Sequence, residues 1–274
     1  MNQYTAMASH PDVQYVNMIS QILSDGYPIK TRNSLVSRLY GISLKFNTTP
    51  LISIRKTSWK LTLREWEWFM SGSKHIADLH PSVHHWWAPW VNTRGEVPAN
   101  YSRQFRYFYG EHHVIDQIQM LIDGIKNHPN SRRNVITTWN TADMVHPDTP
   151  ITNCHNTMTQ AFVTNNRLDL VTYQRSVDVI CGLPHNLIQM WAFLLWLAHR
   201  TNTQPGYLQW IGGDVHVYEA HQRLAAKMVN GLGHIDNDAP ELVYQSSGED
   251  FKADDFSLSK EYKPIFTDRA EMVV

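Results

Sequence analysis

The sequence predicts an α+β fold. Three observations carry it: helical apolar spacing in several segments, alternating segments scattered between them, and no regular strand–helix–strand rhythm. Ser9 and Pro11 open a first helix, with Tyr15, Val16, Ile19, Ile22 and Leu23 on one face and Gly26 as its stop. Residues 35–46 alternate as a strand, and residues 61–71 and 113–126 have helical spacing. Residues 134–140 read as a strand. "NTMTQAFVTNNRLDLVTYQ" reads as two strands turning at Asn165-Asn166, residues suited to a tight hairpin. Asn186 to Asn202 reads as a long apolar helix, "YLQWI" as a short strand, and Glu219 to Asn230 as a helix stopped by Gly231. Short strand-like pieces follow from Pro240 onward. No repeat, linker or low-complexity segment interrupts the chain, so one domain over residues 1–274 is expected.

A chain of 274 residues can bury a substantial core. Its formal charge of −1 and lack of a basic tract argue against a nucleic-acid partner. The N-terminus has no basic segment followed by an apolar one, so no signal peptide is expected. The longest apolar run, Trp191 to Ala198, is far too short to span a bilayer. Two cysteines cannot build a disulfide framework, and a cytoplasmic location is expected. Asn47-Thr-Thr and Asn100-Tyr-Ser then count as chance matches to the glycosylation pattern. The usual glycine-rich dinucleotide and phosphate cradles are missing, as are C-x-x-C and H-E-x-x-H. Adjacent histidines such as His84-His85 and His112-His113 rarely face one site, so no metal is expected. The ten tryptophans are either core or a stacking wall for flat ligands.

Four groups of residues suggest chemistry. Cys154 lies in "NCHN", with polar neighbours on both sides, and a thiolate is the best side-chain nucleophile near neutral pH. Cys181, between Ile180 and Gly182, reads instead as a small buried residue. Arg132-Arg133 precede a strand and Arg175 ends another; guanidinium groups bind phosphate bidentately and stay charged when partly desolvated. Asp178 and Asn186 offer hydrogen bonds to the edge of a pyrimidine-like ring, although Asn186 also suits a helix cap. His216 and Tyr218 are two apart on an extended stretch, so they point the same way and can hold a sugar hydroxyl. Composition and spacing lead to a phosphate, a flat polar heterocycle and a possible covalent thiol, and do not name the reaction.

In combination, "SRRNVITTWN", "NCHNTMTQAF", "TYQRSVDVICGLPHNL" and "GGDVHVYEAH" resemble the thymidylate synthase family, which includes phage pyrimidine-nucleotide hydroxymethylases. The resemblance runs from about residue 28 to the C-terminus. It implies a thymidylate synthase fold: a twisted mixed β-sheet flanked by helices, with sheets packed back to back in a homodimer. It also implies dUMP as substrate, 5,10-methylenetetrahydrofolate as co-substrate, and no metal. By resemblance, Cys154 adds to C6 of the uracil ring. Gln174, Arg175, Ser176 and Arg32 hold the nucleotide, and Arg132 and Arg133 reach the phosphate of the partner subunit. Asn186 reads the uracil edge; His216 and Tyr218 hold the deoxyribose 3′-hydroxyl. Glu65 organises proton transfer through water, and Tyr101 lies near the C5 proton. Asp178, Trp87, Trp90 and Gly182 face the folate, and Val274 closes over it.

The resemblance leaves two outcomes open. Hydride from the folate gives dTMP, as in thymidylate synthase; water gives 5-hydroxymethyl-dUMP, a precursor for modified phage DNA. Departures from the synthase pattern point to water. Asn153 replaces the common proline, Ser71-Gly72-Ser73 replaces R-G-D, and "RGEVPANYS" resembles the hydroxymethylase version. His155 and "GLP" are synthase-like. Asn186 favours uracil, since the deoxycytidylate enzymes carry aspartate there. The expected activity is therefore that of a dUMP hydroxymethylase, with thymidylate synthase as the alternative and a silent nucleotide-binding homologue as the third reading.

Overall fold

The computed structural model describes residues 10–98, 100–110, 113–144, 157–235 and 238–273. In chain order its principal elements are α1 (Pro11–Asp25), β1 (Tyr27–Lys30), β2 (Leu35–Phe46), α2 (Trp59–Ser71), α3 (His84–Trp87) and α4 (Tyr101–Arg106). There follow β3 (Phe108–Tyr109), β4 (Val114–Ile115), α5 (Gln117–Asn127), β5 (Val135–Thr137), β6 (Met158–Thr164), β7 (Arg167–Asp178) and α6 (Leu183–Arg200). The chain ends with β8 (Gln204–Tyr218), α7 (Gln222–Asn230), β9 (Leu242–Tyr244) and β10 (Phe256–Leu258). The main sheet has the order β1-β2-β8-β7-β6-β5. β7 and β8 are parallel and every other neighbouring pair is antiparallel, so the sheet is mixed.

Most sequence expectations hold, and the differences have local causes. Asn165 and Asn166 turn the β6–β7 hairpin with φ of 50° and 61°, the positive pair that such turns need. The helix expected over 113–126 begins only at Gln117, because the Asp116 side chain accepts from Gln119 N at 2.9 Å and caps it there. "YLQWI" is the middle of a 15-residue strand, β8, that continues through "GGDVHVY". Gly231 caps α7 in a right-handed conformation rather than a left-handed one. Asn186 does not cap α6: the helix begins at Leu183 with Gly182 at the cap, which leaves Asn186 inside the first turn.

α6 is buried on nearly every side, as a helix apolar all round must be. Phe193 stacks on Trp196, and Trp66, Trp68, Trp196 and Trp210 are fully buried, so much of the tryptophan content is core. Each such side chain contributes roughly 1.5–3 kcal/mol or more on leaving water. Asn100 is completely buried and caps α4, so it is no glycosylation acceptor. Among the described residues no helix is long and apolar enough to cross a membrane.

The sheet alternates cleanly until one level, where three neighbouring strands change face together. In β7, Leu168, Leu170, Thr172 and Gln174 are buried, and after two intervening residues the next buried one is Val177. In β8, Leu208, Trp210 and Gly212 are followed by Val215; in β2, Leu39 and Ile42 both pack on the core. Gln174 pairs with Gly212, Val177 with Val215, and Leu39 and Ile42 with Val215 and Gly212, so the break runs straight across the sheet. Glycines permit it. Gly41 has φ of +68°, and a Cβ on Gly213 would lie 2.7 Å from the Arg175 carbonyl oxygen. Beyond this crease, the face opposite the core exposes Met158, Phe162 and Tyr173. Met158 stands directly across from Tyr173, which pairs with Ile211 on its other side.

Candidate active site

The crease positions one half of the site. Arg175 and Ser176 are the two residues that β7 inserts into its alternation, and the Arg175 guanidinium lies over the Trp139 ring, 5.2 Å from its centroid. Gln174 is buried and accepts from Trp210 Nε1 at 2.8 Å. One step along, Asp178 pairs with His216 in register. His216 and Tyr218 point the same way, with ring centroids 5.0 Å apart. His216 Nδ1 donates to Asp214 Oδ1 at 2.9 Å, and Arg38 donates to the other oxygen at 2.9 Å. Burial works to raise the Asp214 carboxyl, but His216 and Arg38 outweigh it and hold it below the usual range.

β7 then enters a buried turn, Asp178 to Gly182, whose polar groups are met from several sides. Asp178 Oδ1 accepts from Ile180 N at 2.8 Å and Cys181 N at 3.1 Å. Tyr15 of α1 donates to the Val179 carbonyl at 2.9 Å, Arg55 to that of Ile180 at 2.8 Å, and His185 to that of Cys181 at 2.8 Å. Burial, opposed in part by the Cys181 carbonyl, lowers the His185 pKa to about 4, so the ring is neutral at pH 7.

The C-terminal segment docks on the same turn. His221 Nε2 donates to the Glu271 carbonyl at 2.9 Å, while its Nδ1 lies 3.6 Å from Asp178 Oδ2. Asn33, next to the exposed Arg32, donates to Val273 O at 3.4 Å, and Cys181 Sγ lies 3.6 Å from the Ala270 and Glu271 carbonyls. Asp178, Cys181 and His221 have ligand-type atoms within 4.8 Å of one another, but the carboxylate and imidazole already face each other, and burial pushes the thiol far up.

A second cluster surrounds Glu65 on α2. Trp87 Nε1 donates to Glu65 Oε1 at 2.6 Å, and Gln189 Nε2 donates to Oε2 at 2.8 Å. The carboxyl group sits deep among these side chains although part of the residue remains accessible. Burial raises its pKa, the two donors lower it, and the result is about 7. Tyr101 opens α4 and is buried, its ring 4.8 Å from Phe69 and 6.5 Å from Trp87, which in turn lies 5.8 Å from Trp90. Asn186 and Gln189 are three apart on α6 and share a face, which ties the Glu65 cluster to the turn that ends β7.

Arg132 and Arg133 are exposed before β5, at the opposite edge of the sheet from the Arg32 loop. Cys154 and Val274 lie outside the described residues, as does His112. His84 donates to the Leu79 carbonyl at 2.7 Å while His85 is exposed. A cleft of about 840 Å³ is lined by Arg64, Glu67, Arg106 and Asp116 among others, and none of the predicted site residues lines it. Sequence reasoning missed Gln189, His221, Arg55 and Tyr15. Two left a signal: Gln189 is the lone polar residue in "LIQMWAFLLWLA", and Arg55 interrupts the apolar "LISI".

The sequence model of the thymidylate synthase family matches residues 13–274. Thymidylate synthase from Buchnera aphidicola subsp. Acyrthosiphon pisum (strain Tuc7) is 32% identical over 249 residues, covering 87% of this chain and 93% of its own. Thymidylate synthase from Corynebacterium aurimucosum is 29% identical over 277 residues, covering 98% of this chain and all of its own. The chain belongs to the thymidylate synthase family, whose members are folate-dependent one-carbon transferases that bind dUMP and methylenetetrahydrofolate.

The docked C-terminal segment generates a pH prediction. The Asp178 carboxylate raises the His221 pKa, burial opposes it, and the Glu271 carbonyl adds to the rise. A raised histidine stabilises fully below the ordinary value of about 6.5 and loses that contribution as pH rises through the folded value. Carboxypeptidase trimming of the wild type, divided by that of His221→Gln, is expected to climb toward one as pH rises above the ordinary histidine value of about 6.5. The ratio cancels the protease's own pH dependence; a ratio that stays flat would exclude the His221 clasp.

Proposed function

We propose that the chain transfers a one-carbon unit from 5,10-methylenetetrahydrofolate to C5 of dUMP, and that water completes the reaction, giving 5-hydroxymethyl-dUMP and tetrahydrofolate. In this reading Cys154 adds to C6 and makes C5 nucleophilic. Arg175, Ser176 and Arg32 bind the phosphate, with Gln174 beside them. Asn186 donates to the ring edge, where charge develops on O4, in a site with little water. His216 and Tyr218 hold the sugar hydroxyl. Glu65, titrating near neutral pH, moves protons, with Tyr101 near the C5 proton. Asp178, Gly182, Trp87 and Trp90 line the folate side, and Val274 closes it.

The observation that favours water over hydride is where the sequence departures fall. Ser71-Gly72-Ser73 and Asn100 meet at one corner: Asn100 Nδ2 donates to Ser73 O at 3.0 Å, and its Oδ1 accepts from Arg103 N at 3.1 Å. The Ser71 and Ser102 hydroxyls both donate to the Trp68 carbonyl, at 2.8 and 2.9 Å. This corner adjoins Tyr101 and, through Phe69, Trp87, 5.7 Å away. It is the surface on which a different closing step would be shaped. The names of the relatives favour the second reading, a thymidylate synthase.

The exposed Met158, Phe162 and Tyr173 face supports a homodimer in which sheets pack back to back. The exposed Arg132 and Arg133 then serve the partner's phosphate site.

Three experiments test this reading. Incubation with dUMP and methylenetetrahydrofolate, followed by mass spectrometry of the nucleotide, is expected to show a hydroxymethyl product. A methyl product would replace the first reading by the second, and no product would leave a silent homologue. Cys154→Ala and the double variant Arg132→Ala, Arg133→Ala are each expected to be inactive. Their equimolar mixture is expected to recover about a quarter of wild-type activity, because a mixed two-fold dimer holds one intact site. No recovery would rule out sharing between subunits. Asn186→Asp is expected to shift kcat/KM toward dCMP over dUMP by roughly 10²-fold or more, and an unchanged ratio would remove Asn186 from ring recognition.

A further inference from the structure

We propose that Gln189 is a positioning residue for Glu65: its side-chain amide fixes one carboxyl oxygen while Trp87 fixes the other, so the group meets a bound pyrimidine nucleotide in a single orientation. The proposal rests on the reading of Glu65 as the proton-transfer group.

Gln189 is 1% exposed, so water cannot take its place. Its Nε2 donates to Glu65 Oε2 at 2.8 Å and to the Thr62 carbonyl at 3.3 Å, both on α2. An amide turned over would set its carbonyl oxygen against two acceptors, so the network fixes which end faces α2. Trp87 donates from α3 and Gln189 from α6, leaving the carboxyl held from two sides. Each carboxylate oxygen keeps one further lone-pair direction for a proton or a substrate-bound water.

Among the described residues, burial and these two N–H groups are what perturb Glu65. Charged neighbours are engaged elsewhere. Arg64, beside Glu65 on α2, pairs with Asp254 and Glu67. His185, on the first turn of α6, donates to the Cys181 carbonyl. α3 offers His84, bonded to Leu79 O, and the exposed His85. Removing the Gln189 donor therefore withdraws one of the two groups that favour the charged form, a shift of about one to two pH units upward.

The test is an isotope-edited infrared titration of the carboxyl groups in the full-length free protein, compared with the pH profile of kcat. The wild type is expected to show a protonation step near pH 7 that Glu65→Gln removes. Gln189→Met is expected to move that step up by about one to two pH units. The acid limb of kcat should move with it, while KM for dUMP changes little. A step at the wild-type pH in Gln189→Met overturns the proposal. If Gln189→Met fails to unfold cooperatively, the isosteric Gln189→Glu replaces it. Two carboxyls then share one proton and titrate in two separated steps, and a single unshifted step overturns the proposal. The infrared measurement needs no turnover, so a failure of the assigned reaction and a failure of the Gln189 role are read separately.

Discussion

The structure depends on satisfying a buried turn. Between β7 and α6 the chain reverses inside the protein, where an unpaired backbone group costs roughly 1–3 kcal/mol. Tyr15, Arg55 and His185 donate to its successive carbonyls, and Asp178 accepts from its amides. Those partners come from α1, the loop before α2, and α6, so one short turn gathers segments far apart in sequence. The same carboxylate that holds the turn faces His221 and, through it, the C-terminal segment. One carboxylate thus anchors both the turn and, through His221, the C-terminal segment.

The Glu65 cluster solves a different problem with the same means. A carboxyl in apolar surroundings would stay neutral, and one in water would stay charged. Two N–H donors in a largely buried place hold it between these extremes. The neighbouring corner built from Ser71, Ser73, Asn100 and Ser102 is dense in small polar side chains, each bonded to backbone. They lie beside the aromatic packing of Trp66, Phe69 and Phe105.

The local part of this architecture was legible in the sequence. Helix α1, strand β2 and the Asn165-Asn166 hairpin follow from periodicity and turn chemistry, which act within a few residues. The full length of β8 was not: "YLQWI" reads as a short strand, whereas the strand runs on through Gly212 and Gly213, which permit close approach of neighbouring strands. Asp178, His216 and Tyr218 were visible as polar groups at a strand end. The roles of Tyr15, Arg55 and Gln189 were hidden, since each partners a group more than one hundred residues away. Asn186 reads equally well as a cap until the helix start at Leu183 is known.

The crease across β2, β8 and β7 limits how the protein can vary. Because the three strands skip their alternation at one shared level, a residue gained or lost in any single strand would throw its far half onto the wrong side of the sheet. A compensating bulge, such as the one that β7 and β8 already carry between Leu168 and Leu170, or a matched change in all three strands would be needed to restore the faces.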